Sequence, residues 1–205
     1  DEVVNELRKV EVVPEEEVEA INVAIIGRPN AGKSSLTNKL TNNNRSIVSD
    51  VAGTTRDAID TLVEHEGQMY RIVDTAGLRR KSQIDQDVEY YGFVRAMRAI
   101  DRADVALLVI DGTLGLTNED QRVAGYAAER GCAMVIVLNK WDIVEGPEAK
   151  EKIRERIEDR MTFVGYAPVV AISALTGKRV DRIWGAIDDV YANYSRTIPT
   201  CLLYT

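Results

Sequence analysis

The chain has 205 residues, 45% of them apolar, with 33 acidic and 26 basic side chains and a net charge of −7. That length holds one α/β domain with a sizeable core. The excess of acid argues against a chain that clamps nucleic acid by charge alone, while leaving room for a local basic patch. Two cysteines, Cys132 and Cys201, without metal-ligand spacing, make no disulfide framework.

Residues 1–20 are rich in Val and Glu, with Pro14 and the run Glu15-Glu16-Glu17, and read as a flexible acidic linker. They do not begin with Met and show no signal-peptide pattern, so the chain is expected to be part of something longer and cytoplasmic. The longest apolar runs are strand-sized, so no membrane span is expected.

Ile21, Val23, Ala24, Ile25 and Ile26 form an apolar run of buried-strand type. Gly27-Arg28-Pro29-Asn30-Ala31-Gly32-Lys33-Ser34 follows as G-x-x-x-x-G-K-S, and Ser35 to Leu40 has helical spacing. Strand, glycine loop and helix are the setting a phosphate-binding P-loop requires. Gly27 and Gly32 are expected to let backbone amides close around phosphate, at the positive end of the new helix. Lys33 supplies a charge for the outer phosphates, and the Ser34 hydroxyl suits Mg²⁺.

Asn42-Asn43-Asn44-Arg45 is a polar break, and residues 46–57 read as a loop. Ala58–Glu64 and Gln68–Asp74 read as a hairpin with its turn at Glu66-Gly67. His65, the only histidine, falls there and is expected to be solvated. Asp74-Thr75-Ala76-Gly77 closes the second strand, followed by a polar stretch with Arg79-Arg80-Lys81. Glu89–Ile100 reads as a helix with Tyr90, Phe93, Val94, Met97 and Ile100 as its core stripe. Then come a strand at Val105–Ile110, a helix at Asn118–Arg130 stopped by Gly131, and a strand at Ala133–Leu138 that buries Cys132. A charged helix at Glu148–Met161, a strand at Val169–Ile172 and a helix from Val180 to Tyr194 complete the order. The tail, 196–205, has no clear pattern.

Alternating strands and helices after one hairpin predict a mostly parallel sheet covered on both faces, with ligands beyond the C-terminal strand ends. Two further groups fall at such ends. Asp74 suits Mg²⁺, with Gly77 leaving room for a γ-phosphate. In Asn139-Lys140-Trp141-Asp142 a carboxylate can accept from guanine N1–H and its exocyclic amine, a donor pair adenine lacks. Asn139 is expected to bond the other base edge, and the Lys140 stem to cover the base face.

Together these motifs, with Gly53-Thr54-Thr55-Arg56-Asp57 and Ser173-Ala174-Leu175, resemble the translation-factor-related (TRAFAC) GTPases. Within them the sequence is most similar to the second GTPase domain of the EngA (Der) family of ribosome-assembly GTPases. Leu78-Arg79-Arg80-Lys81, Glu89-Tyr90-Tyr91, Arg95 to Ile100, and Gly112-Thr113-x-Gly115-Leu116-Thr117-x-Glu119-Asp120 carry that closer likeness. The resemblance covers roughly residues 20–200. It implies a P-loop NTPase G domain over 21–195, a three-layer α/β/α fold whose six-stranded sheet has one antiparallel edge strand. The family's first GTPase domain and KH-like domain are outside this stretch, and Cys201 to Thr205 does not continue as the family does.

The resemblance further implies GTP or GDP held by Asn30, Ala31, Gly32, Lys33, Ser34, Ser35, Asp74, Gly77, Asn139, Lys140, Asp142, Ser173, Ala174 and Leu175. Mg²⁺ would be held by Ser34, Thr55 and Asp74, with Thr55 and Gly77 in switch segments ordered by γ-phosphate. K⁺ would sit at Asn30 with Ser49, Val51 (backbone carbonyl) and Thr54, so Lys33, Asn30, Thr55 and Gly77 form the catalytic set. Leu78 stands where many GTPases have the water-orienting Gln, so unassisted turnover is expected on the order of 10⁻³ s⁻¹ or below. The implied partner is rRNA of the large ribosomal subunit, met through the full-length protein, with the isolated domain a monomer. Arg79 to Lys81 are either a solvated patch or a nucleotide-gated contact. Two other readings stay open: a nucleotide-state interaction module with negligible hydrolysis, and a GTPase of tRNA modification.

Overall fold

The computed structural model describes residues 19–42, 60–75 and 88–195, the side chains of 88–91 excepted. Its centre is a six-stranded sheet of order β2-β3-β1-β4-β5-β6. The strands are β1 (Ile21–Ile26), β2 (Thr61–His65), β3 (Gln68–Val73), β4 (Val105–Asp111), β5 (Ala133–Asn139) and β6 (Val169–Ala171). β1 pairs in parallel with β3 (Val23 opposite Ile72) and with β4 (Ile25 opposite Leu107). β5 joins β4 and β6 in parallel. Only β2, at the edge, runs antiparallel, from Thr61 opposite Ile72 to His65 opposite Gln68. Its turn uses Glu66 at φ 50° and Gly67 at φ 85°, the pair of left-handed residues a two-residue hairpin needs.

β4 and β5 are buried along their whole length, because helices cover both sheet faces. On one face Ile21, Val23, Ile25, Leu107, Val109, Val135 and Val137 pack on α1 (Lys33–Asn42) and α5 (Arg182–Tyr194), through Leu36, Leu40, Ile183, Trp184 and Ile187. On the other, Ala24, Ile26, Leu108, Ile110, Ile136 and Leu138 meet α2 (Val88–Ile100), α3 (Asn118–Glu129) and α4 (Pro147–Arg160). This is the three-layer α/β/α arrangement expected. Successive strand residues point to opposite faces, so every sheet strand contributes to one core or the other.

The local signals explain most boundaries. α3 starts at a capping box in which Thr117 and Asp120 satisfy each other's backbone N–H. It stops at Arg130, with Gly131 at φ 75° just beyond. α4 opens on Pro147, whose missing N–H costs nothing there. α5 begins at Arg182 rather than Val180, since Arg182 N, Ile183 N and Trp184 N each bond three residues back and make turns ahead of the α-helix. β2 begins at Thr61 among the described residues, later than the alternation suggests, and 58–59 lie outside them.

Two side-chain expectations are corrected. The α2 residues packed in the core are Phe93, Ala96, Ala99 and Ile100, while Val94 and Met97 are half-buried and outside that cluster. Tyr90's side chain lies outside the described residues. His65 is not a solvated turn residue: it ends β2, half-buried, with its ring stacked on Trp184 at 5.1 Å and 21°. Cys132 is buried as expected, its thiol 3.2 Å from Ala103 O, and burial pushes that thiol up from its ordinary pKa. No helix among the described residues is long and apolar enough to cross a membrane. The linker before residue 19 and the tail 196–205, Cys201 included, are outside the described residues.

Candidate nucleotide site

The loop between β1 and α1 is held in shape by contacts with the rest of the protein. Gly27 sits at φ 135°, where an added Cβ would meet Val109 O of β4 at 2.3 Å. Gly32 sits at φ 97°, and a Cβ there would meet Asn139 Nδ2 at 2.1 Å. Both glycines are thus demanded by β4 and by Asn139 at the end of β5, in addition to the close approach to phosphate expected from sequence. Asn30 adopts φ 62° and is exposed, a conformation asparagine tolerates better than most residues. The first helical bond of α1 runs from Leu36 N to Gly32 O at 2.9 Å. The amides at the start of the helix have no intrahelical acceptor and form a natural anion site.

Lys33 folds back over this loop. Its Nζ donates to Gly27 O at 2.7 Å and Arg28 O at 2.6 Å. Burial pushes its pKa down to about 8, with the charges of Glu119 and Asp120 pulling the other way. A half-buried ammonium bonded to two carbonyls, with no carboxylate in ion-pair distance among the described residues, is suited to an anion at the loop. Ser34 and Ser35 are exposed at the same helix start, and Ala31 is buried beneath them.

At the other end of the site, β5 delivers Asn139, Lys140 and Asp142. Asn139 is buried, 2% exposed, and both ends of its amide are used. Nδ2 donates to Ala31 O at 2.8 Å, and Oδ1 accepts from Ala174 N at 2.8 Å. Asn139 therefore ties the phosphate loop to the Ser173-Ala174-Leu175 loop, and its Nδ2 keeps a second N–H beyond the one given to Ala31 O. Lys140, at φ 60°, places its Nζ 2.6 Å from Asp111 Oδ2. Asp111 also accepts from Thr113 N at 2.9 Å and Thr113 Oγ1 at 2.6 Å. Burial alone would raise the Asp111 carboxyl; the Lys140 and Thr113 bonds outweigh it and hold the group below its ordinary value. Asp142 is exposed, a carboxylate available to a donor pair. Ser173 is buried, and its Oγ accepts from Thr176 N at 3.3 Å. Ala174 is buried and Leu175 is 82% exposed.

A third corner lies where the hairpin ends. Asp74, at φ 56°, donates its N–H to Asp60 Oδ1 at 3.1 Å. Thr61 and Thr75 join hydroxyls at 2.9 Å, and Arg102 pairs with Asp60. Thr54, Thr55, Ser49, Val51, Gly77, Leu78 and the Arg79-Arg80-Lys81 cluster lie outside the described residues.

Sequence reading missed three participants. Asp111 drew no reading, Asp120 counted only toward the family likeness, and Arg28 stood as an unassigned P-loop position. The Asp111–Lys140 pair spans 29 residues. Arg28 Nε faces Asp120 Oδ2 across 3.5 Å, between side chains 20% and 0% exposed. No local pattern announces either pair.

The P-loop follows the first strand of the described sheet, and Asn139-Lys140-x-Asp142 follows the strand two places across from it; this is the layout of a G domain of the P-loop GTPase class. Residues 22–140 match the 50S ribosome-binding GTPase family, and the chain belongs to that family. It is 50% identical over 194 residues to the GTPase Der of Fusobacterium nucleatum, covering 94% of this chain and 44% of that protein. The chain thus spans a little under half of that relative, the size of one G domain. Among solved structures it is similar to Aquifex aeolicus Era bound to GDP·AlF4⁻, with TM-score 0.62, 28% identity, and coverage of 82% of this chain and 56% of that one. It is also similar to Era in complex with MgGDPNP and nucleotides 1506–1542 of 16S ribosomal RNA, with TM-score 0.62, 26% identity, and coverage of 82% and 55%.

Proposed function

We propose that this domain binds GTP and GDP with Mg²⁺, hydrolyses GTP slowly, and serves as the switch of a cytoplasmic factor in assembly of the large ribosomal subunit. The observation that carries the reading is the Asn139 bridge, which makes the phosphate loop and the base loop one unit. Lys33, with the amides of Gly32, Ser34 and Ser35, receives the phosphates. Asp142 accepts from the guanine N1–H and amine, and the Lys140 stem, held by Asp111, covers the base. Ser34 and Asp74, with Thr55, are the residues to hold Mg²⁺, which when bound neutralises charge on the phosphates. Asn30, with Ser49, Val51 and Thr54, is the set for K⁺. The description of the matching family, 50S ribosome-binding GTPase, supports a ribosomal setting, and Era's complex with 16S rRNA supports RNA as the class of partner.

Asp142→Asn tests the base reader. Exchanging an acceptor for a donor should favour xanthosine triphosphate over GTP, with a loss of GTP affinity of about 1–3 kcal/mol. Unchanged base preference in a competition assay would remove Asp142 from this role. Leu78 favours a second reading, in which the domain reports its nucleotide state with negligible hydrolysis of its own. Single-turnover hydrolysis with and without large ribosomal subunits separates the two.

A further inference from the structure

The three described side chains with a buried polar atom lacking a hydrogen-bond partner are Arg28, Asp120 and Gln121. Two of them face each other. Arg28 Nε and Asp120 Oδ1 are both without a partner, and Nε lies 3.5 Å from the other carboxylate oxygen, Oδ2. Oδ2 is already committed: it accepts from Thr117 N at 3.0 Å and Thr117 Oγ1 at 2.7 Å. The Asp120 side chain is fully buried, and Arg28 is the only cation within ion-pair distance of it among the described residues. A buried carboxylate is tolerated only when a counter-charge compensates it. The counter-charge here belongs to the phosphate loop.

Arg28 is thereby held at two points. Its side chain meets α3, and its carbonyl accepts from Lys33 Nζ at 2.6 Å. The same carbonyl receives Ala31 N at 3.4 Å. Fixing Arg28 fixes the carbonyl that turns Lys33, two residues before the left-handed turn at Asn30. We propose that Asp120 is a positioning residue for nucleotide phosphate, acting through Arg28 from the first turn of α3. This rests on the reading of the loop as the GTP and GDP site. The mechanism is preorganisation: a loop already held in its bound shape loses less freedom when phosphate arrives.

The test is a double-mutant cycle on the whole chain, with GDP and guanosine as the probes and thermal unfolding measured beside binding. Asp120→Asn keeps the shape and removes the charge, and Arg28→Gln removes its partner. Each is expected to weaken GDP about tenfold and guanosine less than about twofold, because only the phosphates touch this loop. The double variant should be no weaker than either single one. A folded Asp120→Asn protein with GDP affinity within about twofold of the parent overturns the proposal. So does an equal loss of guanosine, or a double variant weakened about a hundredfold, as independent sites would be. If Asp120→Asn does not fold, Arg28→Lys decides: it keeps a charge but loses the Nε–H that faces Asp120. About threefold weaker GDP binding supports the proposal, and unchanged binding overturns it. A parent chain that binds no GDP at all refutes the nucleotide reading itself, a different result from a parent that binds and variants that match it.

Discussion

Asn139→Ala should damage the protein in two measurable ways. The side chain satisfies two buried backbone groups, Ala31 O and Ala174 N, each at 2.8 Å. Truncation leaves both without a partner, at about 1–3 kcal/mol apiece. The sum is centred near 4 kcal/mol, out of a total stability on the order of 5–15 kcal/mol for a domain. Urea unfolding followed by circular dichroism should show a lower midpoint with an unchanged slope, since the surface exposed is the same. GDP affinity should fall as well, because the two loops no longer hold each other. Asn139→Asp sharpens the case. It keeps the acceptor for Ala174 N but turns a donor into a carboxylate facing Ala31 O. That carboxyl's folded pKa would be raised above its unfolded value of about 3.9. Relative to the parent, the variant is therefore least impaired at acid pH and loses further stability as pH rises through the raised value. A loss under about 1 kcal/mol for Asn139→Ala, with parent-like GDP binding, would refute the reasoning that the bridge organises the site.

Gly32→Ala forces a Cβ to 2.1 Å from Asn139 Nδ2 at φ 97°. A loss of about 3 kcal/mol or more is expected in thermal or urea unfolding, together with loss of GDP binding. The depressed pKa of Asp111 contributes stability that is present above the unfolded carboxylate value and is lost as pH falls through the folded one. Asp111→Asn should therefore lower stability at pH 7 and flatten the fall below about pH 4, as measured by urea midpoints across that range. GTP hydrolysis should be faster in KCl than in NaCl at equal ionic strength. Asn30→Ala should abolish the difference, and an unaltered response would exclude Asn30 from a K⁺ site.

Much of this molecule was legible because its signals are local. The run Ile21 to Ile26 followed by the glycine loop fixed the first strand and the P-loop. The Glu66-Gly67 turn fixed the hairpin, and Gly131 the end of α3. What stayed hidden depends on chain segments far apart. His65 reads as a turn residue until Trp184, carried in by α5, covers its ring. Gly27 and Gly32 read as phosphate-binding, and only the fold shows that β4 and Asn139 press against them as well. The stripe on α2 was placed by period alone, and it passed over Ala96 and Ala99, small residues that pack in the core. Asn139 was recognised as important for its motif, while its physical task of joining Ala31 to Ala174 needed three dimensions.

The joint at the open end of the hairpin has a mechanical meaning. Residues 60 and 74 are bonded to each other, 61 and 75 share a hydroxyl contact, and Arg102 from beyond α2 grips the same spot. The two ends of the described hairpin, Asp60-Thr61 and Asp74-Thr75, therefore form one joint, held by side chains as well as by the β2–β3 ladder. A joint clamped in this way works like the fixed end of a pair of tweezers: load that reaches it is shared with Arg102, and the register of β2 on β3 behind it has no need to slide.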